Sequence, residues 1–92
     1  MREVNIESRL KREVEKRGGK ALKFVSPGMR GVPDRIVLLP GARTIFVELK
    51  APGKKRTPLQ VKTALELRGL GYQVYCLDSG KEIDRFILEV FG

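Results

Sequence analysis

The chain has 92 residues, of which 41% are apolar and 33% are charged, a composition typical of one small folded domain. Its 19 Lys and Arg residues against 11 Asp and Glu residues give a net charge of +8, which favours a polyanionic partner such as nucleic acid. Because there is no histidine and a single cysteine, Cys76, an internal disulfide, a Cys/His zinc site and catalysis by a histidine base are excluded.

The sequence carries no targeting signal that we can identify. The opening residues MREVNIESRL are charged and lack the apolar core of a signal peptide. No apolar run approaches the ~20 residues of a membrane span. We therefore expect a cytoplasmic protein without membrane contact, organised as a single domain over residues 1–92.

The first half of the chain predicts one helix followed by three strands. In VNIESRLKREVEKRGG, the spacing of Ile6, Leu10 and Val14 predicts an amphipathic helix that ends at Gly18 and Gly19. KALKFV predicts a short strand, and SPGMRGVP, rich in Gly and Pro, predicts a loop. DRIVLL and RTIFVELK predict two strands, which the tight turn PGA makes antiparallel.

The second half predicts a helix, a strand and a helix. After the loop APGKKRT, Thr57 is expected to cap the helix PLQVKTALELRGLG, and Ser79 to cap GKEIDRFILEVF. YQVYCLD between them predicts a strand parallel to RTIFVELK, since a helix connects the two. The order αβββαβα predicts an α/β fold with a mixed sheet of about four strands flanked by helices.

Two acidic residues occupy unusual places on the predicted hairpin. Asp34 opens one strand and Glu48 lies inside the apolar run of the other, although acidic residues are depleted in strands and rarely buried without a partner. Alternation places Glu48 and Lys50 on the same face. Pairing about the turn sets Asp34 opposite residues 47–49, so two carboxylates and an ammonium group can meet on adjacent strands.

This cluster is suited to binding a divalent metal. Two neighbouring carboxylates repel each other, and a cation between them removes that cost. Oxygen ligands suit Mg²⁺ or Mn²⁺, and the backbone carbonyl of Leu49 can supply a further oxygen. Lys50 would then stand beside the metal, where it can orient or deprotonate a water and stabilise charge on a phosphate. The alternative is an inert cross-strand salt bridge on an exposed sheet face.

The motifs GVPDRIVL, FVELKAPGKK and PLQ, in this order and at these spacings, resemble the PD-(D/E)xK nuclease superfamily. Within it the chain is most similar to the small stand-alone VRR-NUC proteins of phage and bacteria. The resemblance extends over nearly the full chain, including IES in the first helix and GYQVYCLDS near the end. It implies a restriction-endonuclease-like core and Mg²⁺- or Mn²⁺-dependent cleavage of DNA.

The resemblance also implies roles for individual residues. Asp34 and Glu48 would bind the metal, and Lys50 would be the catalytic lysine. Gln60 would be a catalytic residue that supports the site near the phosphate or the lysine, the alternative being an ordinary surface residue in the first helical turn.

A glutamate on the first helix completes the family pattern. Glu7 fits best as this additional metal ligand, and Glu3 is the second choice. The alternative for Glu7 is a solvated ion pair with Lys11, one helical turn away.

Basic residues in the two loops beside the predicted site are expected to bind DNA phosphates. They are Arg30, Lys54, Lys55 and Arg56. The resemblance further implies a homodimer that acts on branched DNA, such as four-way junctions, in a bacterial or phage-infected cell. The last helix, with Phe86, Val90 and Phe91, is the candidate dimer contact; alternatively, these residues only cover the sheet.

Two other functions stay open at this stage. The chain could be a basic nucleic-acid-binding module without catalysis, or a nuclease subunit that needs a partner protein. Cleavage by the purified chain with Mg²⁺ or Mn²⁺ would separate both from a self-sufficient nuclease.

Overall fold

The computed structural model describes residues 3–92, and within them the elements follow the predicted order αβββαβα. The helices are α1 (Glu3–Glu15), α2 (Pro58–Gly69) and α3 (Gly80–Phe91). The strands are β1 (Lys20–Lys23), β2 (Arg35–Leu39), β3 (Arg43–Leu49) and β4 (Gln73–Leu77). No helix in this part of the chain is both long and apolar enough to cross a membrane.

The strands form one mixed sheet, as predicted, and their spatial order is β1-β2-β3-β4. The β1–β2 and β2–β3 pairs are antiparallel, and the β3–β4 pair is parallel. Between β2 and β3 the chain reverses through Gly41 and Ala42, whose φ angles are +83° and +61°. Such left-handed conformations permit a tight hairpin connection, and glycine adopts them without steric cost.

Helices cover the two faces of the sheet unequally. α1 and α3 pack on one face and form the larger core with alternate residues of the strands, including the predicted stripe of Ile6, Leu10 and Val14. α2 packs on the other face, where Ala64 contacts Phe46 and Val74 in a smaller core. Since α2 buries few of its own side chains, much of the second face is left for other groups, including Glu48.

The predicted strands are each one or two residues longer than the observed ones, and two of these differences concern the candidate site. β2 begins at Arg35, so Asp34 lies one residue before it rather than inside it. Pairing nevertheless continues one step, because the Phe24 N–H donates to the Asp34 carbonyl at 2.9 Å. Pro33 has no N–H with which to extend the ladder further. Lys50 likewise lies just after the last residue of β3.

The predicted use of the last helix as a dimer contact is wrong for its main residues. Phe86 and Val90 are buried in the larger core, and Phe91 packs against the edge of that core. The physical reason is that the sheet face formed by Ile45, Val47, Leu49 and Leu77 requires the apolar stripe of α3 to cover it. The alternative, that these residues cover the sheet, is confirmed.

Candidate active site

Asp34 and Glu48 meet at one end of the β2–β3 pair. Arg35 is paired with Val47, so the next position of the antiparallel register sets Asp34 opposite Glu48. Oδ1 of Asp34 accepts a hydrogen bond from the Leu49 N–H at 3.0 Å. The prediction that Asp34 faces residues 47–49 is therefore confirmed.

Glu48 is the most unusual residue of this cluster because its carboxylate is buried. Its side chain is only 2% exposed, on the face of the sheet that α2 covers. Nε of Arg56 lies 3.0 Å from Oε2 of Glu48, and Nη2 lies 3.4 Å from Oε1. Arg56, which the sequence predicts to bind DNA phosphate, contacts this buried carboxylate and supplies the cation that its burial requires.

Leu49 and Lys50 complete the end of β3. In an extended strand the N–H and C=O of one residue point to the same side, so the Leu49 carbonyl faces the Asp34 side together with its N–H. The Lys50 N–H donates to the Leu77 carbonyl at 3.0 Å, which ties this end of β3 to β4. Alternation directs the partly exposed side chain of Lys50 to the same face as Glu48.

The candidate ligands at this end of the sheet are of the type that a hard divalent cation binds. The carboxylates of Asp34 and Glu48 and the carbonyl of Leu49 are all oxygen ligands, which Mg²⁺ and Mn²⁺ prefer. Among the described residues no group of three or more His, Cys, Asp or Glu side chains could hold a metal. The candidate donor set is thus two carboxylates and one backbone carbonyl.

Glu7 does not reach this cluster in the structure. Its Oε2 lies 2.6 Å from Nη2 of Arg35, a buried residue on the opposite face of the sheet, and its Oε1 lies 3.9 Å from Nζ of Lys23. The same guanidinium donates to the Asp34 carbonyl at 2.8 Å. Arg35 thus lies between Glu7 and Asp34. Glu7 pairs with it rather than with Lys11, and the side chain of Glu3 lies outside the described residues.

Gln60 has a local structural contact that its predicted catalytic role did not anticipate. Its side-chain Oε1 accepts from the Thr57 N–H at 2.9 Å, and its own N–H donates to Oγ1 of Thr57 at 3.1 Å. This reciprocal pair is a capping box, which satisfies two backbone donors at the start of α2. The spacing Thr-x-x-Gln is the signal that could have revealed it from the sequence.

The predicted DNA-binding loops lie at the same end of the molecule. Arg30, Lys54 and Lys55 are exposed. A Cβ atom placed on Gly31 would lie 2.8 Å from Cγ of Leu59, so the loop that carries Arg30 is packed directly against the first turn of α2. The loop before Asp34 and the loop before α2 therefore flank one site.

Cys76, the single cysteine of the chain, is a neighbour of the candidate site. Cys76 lies on β4, where it pairs in register with Glu48 of the adjacent strand β3, and it is partly buried. Burial raises the pKa of its thiol, and the charge of Glu48 raises it further, while Arg56 and Lys50 act in the opposite direction. The thiol thus lies within electrostatic range of three candidate site residues.

The fold matches that of a known class of protein. A solved structure described as a VRR_NUC domain superimposes with a TM-score of 0.87 and 31% sequence identity, over 92% of each chain. "Putative nuclease p44" of Acyrthosiphon pisum secondary endosymbiont phage 1 is 58% identical over 79 residues, which cover 86% of this chain and 85% of the relative. The chain therefore belongs to the VRR-NUC family. No family model matches it.

Proposed function

We propose that the protein is a divalent-metal-dependent endonuclease that hydrolyses phosphodiester bonds in DNA. One observation carries the proposal: Asp34 lies opposite Glu48 at the end of two adjacent strands, and its carboxylate accepts a hydrogen bond from the Leu49 N–H. The description of the phage relative as a nuclease supports it, as does the net charge of +8.

In this proposal Asp34, Glu48 and the Leu49 carbonyl hold the metal. When bound, a divalent cation supplies Lewis-acid stabilisation of phosphate charge and makes a water nucleophilic at neutral pH. Lys50 orients the attacking water and donates to a phosphate oxygen as negative charge develops in the transition state.

Surface cations position the DNA in the same proposal. Arg30, Lys54 and Lys55 contact neighbouring phosphates of the DNA backbone. Such contacts fix the register of the nucleic acid without reading its sequence, which suits a domain with little surface for a separate recognition module.

The test is cleavage by the purified chain and by near-isosteric variants. Mg²⁺ and Mn²⁺ should support cleavage of labelled DNA, Ca²⁺ should support little, and EDTA should abolish it. Asp34→Asn, Glu48→Gln and Lys50→Met should each lower turnover by roughly 10²-fold or more. Glu15→Gln, an exposed carboxylate at the end of α1, is the control and should cleave like the unchanged protein.

The same experiment separates the rival functions. A basic binding module would bind DNA but never cleave it, with or without added proteins. A subunit of a larger nuclease would cleave only after its partner is supplied. Cleavage that persists in EDTA, or a Glu48→Gln protein with normal turnover, would contradict the proposal itself.

The proposal includes a two-fold dimer that acts on branched DNA such as four-way junctions. A symmetric dimer would present two sites and double the basic surface. The exposed apolar side chains that could form the contact belong mainly to α2 and the residues that follow it: Leu59, Val61, Leu65, Leu70 and Tyr72. Beside them, a largely apolar groove of about 310 Å³ opens between α2 and the loop that contains Met29.

Solution mass and paired nicking of a junction test this second part. Leu65→Glu and Leu70→Glu should each favour the monomer, because these side chains are 60% and 74% exposed in the single chain and a buried charge is costly. Leu88→Glu on α3, where the leucine is 71% exposed, should leave the oligomeric state measured by solution mass unchanged. A protein that is monomeric at micromolar concentration and cuts linear duplex as well as junctions would contradict this part alone.

A further inference from the structure

The ion pair between Arg56 and Glu48 joins a loop to the sheet at the candidate metal site. Both guanidinium contacts go to the carboxylate of Glu48, at 3.0 and 3.4 Å. The Glu48 side chain is almost fully buried, whereas 22% of the Arg56 side chain is exposed. The pair therefore has one partner that is fixed in the sheet and one that reaches it from the solvent side.

Glu48 cannot be left without a cation. An unpaired buried carboxylate is strongly unfavourable, and removing one partner of a buried ion pair is strongly destabilising. Arginine cannot give up its proton in a protein, so Arg56 can release Glu48 only by moving away. Any cation that takes both carboxylate oxygens must therefore compete with this guanidinium.

The backbone around Arg56 is arranged so that its side chain can move without unfolding the loop. On one side, Thr57 is fixed by the capping box of α2. On the other, a turn is closed by the hydrogen bond from the Lys54 N–H to the Ala51 carbonyl, with Gly53 at a φ of +80°. Lys54 and Lys55 in this loop are exposed, so a DNA phosphate bound there would lie beside the Arg56 side chain.

We propose that Arg56 is an exchangeable counter-ion. It neutralises Glu48 in the metal-free protein, leaves when a divalent cation binds, and then contacts a DNA phosphate. The proposal rests on the metal site proposed above. It predicts that metal and DNA increase each other's affinity. Bound DNA draws the guanidinium away from Glu48 and so exposes the carboxylate to the metal, and bound metal frees the guanidinium for a DNA phosphate. This coupling is reciprocal.

The experiment measures Ca²⁺ binding by calorimetry, with no cleavage required. Without DNA, Arg56→Gln should bind Ca²⁺ roughly 5- to 150-fold more tightly than the unchanged protein, the range typical of such coupling. Adding junction DNA should tighten Ca²⁺ binding by a larger factor in the unchanged protein than in Arg56→Gln, because phosphate oxygens can contact the ion in both proteins but only the unchanged protein has a guanidinium to displace. Arg12→Gln, which removes an exposed arginine on α1, is the charge-matched control and should behave like the unchanged protein in both measurements.

Thermal unfolding supplies an independent readout. Arg56→Gln should melt at a lower temperature than the unchanged protein without metal, and Ca²⁺ should restore more of its stability, since the ion replaces the missing cation. If Arg56→Gln does not fold, Arg56→Lys keeps the charge but loses the two-point contact, and its Ca²⁺ affinity should exceed that of the unchanged protein.

The possible failures are distinguishable. If the unchanged protein binds Ca²⁺, Glu48→Gln does not, and the Arg56 variants bind like the unchanged protein, the counter-ion proposal is overturned and the metal site stands. An equal DNA-induced tightening of Ca²⁺ binding in Arg56→Gln and in the unchanged protein would overturn it as well. If neither the unchanged protein nor any variant binds Ca²⁺ or Mn²⁺, the proposed metal site fails, and the counter-ion proposal fails with it.

Discussion

Cys76 lies beside the candidate site and reports on its electrostatics. Its thiol is partly buried and pairs in register with Glu48. Desolvation and the adjacent carboxylate disfavour the thiolate, so the pKa of the thiol is raised. The residue is thus held in its neutral, unreactive form rather than prepared as a nucleophile.

The first prediction concerns alkylation of this thiol. At a pH slightly above neutral, iodoacetamide should modify Cys76 more slowly in the folded protein than in the urea-unfolded chain, because less thiolate is present. The rate should rise with pH through a midpoint above that of free cysteine. Since the folded-state pKa is raised, this group stabilises the fold below the unfolded-state pKa, and that contribution is lost as pH rises through the folded-state pKa.

A Cys76→Ala protein is the control for the stability effect. As pH rises above the pKa of free cysteine, its free energy of unfolding should fall less steeply than that of the unchanged protein. Equal alkylation rates in the folded and unfolded chains would show that burial and Glu48 do not act on the thiol as described.

At the residue scale, the sequence identifies the two carboxylates but not their partners. Asp34 and Glu48 are recognisable because an acid in an apolar strand is conspicuous and strand alternation is regular. The partner of Glu48 is Arg56, in a glycine-containing loop with no periodicity to indicate where its side chain points. Glu7 illustrates the same limit, since its ion pair with Arg35 depends on how α1 lies across the sheet.

The start of α2 combines a structural element with a candidate catalytic residue. Gln60 and Thr57 form the capping box, and Arg56 precedes it directly. A change at Gln60 can therefore lower activity in two ways, through the stability of the helix or through the chemistry of the site.

A pair of substitutions separates these roles. Gln60→Ala should lower the free energy of unfolding by about 1 kcal/mol, the usual cost of a lost cap. Gln60→Glu should keep most of that stability, because glutamate serves equally in a capping box. Chemical denaturation and single-turnover cleavage should be measured on both proteins. If Gln60→Glu cleaves normally, Gln60 acts through the cap; if it is stable but slow, the amide contributes to catalysis.

The first turn of α2 also contacts the loop that leads into Asp34. Gly31 has a φ of +80°, and a Cβ atom there would lie 2.8 Å from Cγ and 2.9 Å from the carbonyl oxygen of Leu59. Both the conformation and the close approach require glycine. This contact holds the loop against the helix and limits how Asp34 and the start of α2 can move apart.

Gly31→Ala should therefore destabilise the protein by about 1–3 kcal/mol. Gly28→Ala in the same loop is a matched control, since nothing lies within 4 Å of a Cβ at that position. Its free energy of unfolding should stay within about 0.5 kcal/mol of the unchanged protein. Urea denaturation of the two variants checks the prediction, and equal stabilities would contradict the described contact.

At the element scale the sequence is a good guide where periodicity is strong. The order αβββαβα, the antiparallel hairpin and the parallel β4 follow from apolar spacing, turn residues and connection length. The ends of strands are less predictable, because they depend on pairing between segments that are distant in sequence. An example is the hydrogen bond from the Phe24 N–H to the Asp34 carbonyl. The prediction that Phe86 and Val90 of α3 form the dimer contact is wrong for a related reason. An apolar helical stripe covers a sheet as readily as it binds a second chain, and periodicity does not distinguish these two cases.

For the whole molecule, the net charge of +8 makes DNA affinity depend on salt. Lys54 and Lys55 are exposed beside the site, whereas Arg56 is already engaged with Glu48. In the metal-free protein, the two lysines are therefore expected to contribute more to initial DNA binding than the arginine.

Replacing Lys54 and Lys55 together by alanine should weaken binding of all DNA sequences alike. It should also reduce the slope of log affinity against log salt by about 0.9 for each lost phosphate contact with duplex DNA. Fluorescence anisotropy between low and moderate salt checks both effects. A double Lys11→Ala, Lys16→Ala protein, which removes two exposed charges on and just after α1, is the control, and an equal loss in both proteins would show that only total charge matters.

The hydrogen bond from the Leu49 N–H to the Asp34 carboxylate has a practical consequence. It makes a single backbone amide an internal sensor of one side-chain charge, since the proton chemical shift of an amide responds to the charge on its acceptor. In a ¹⁵N-labelled sample, the Leu49 resonance should therefore move when Asp34 is protonated or when a cation binds its carboxylate. Occupancy of the site could thus be followed by NMR titration in the native protein, with no mutation, probe or substrate.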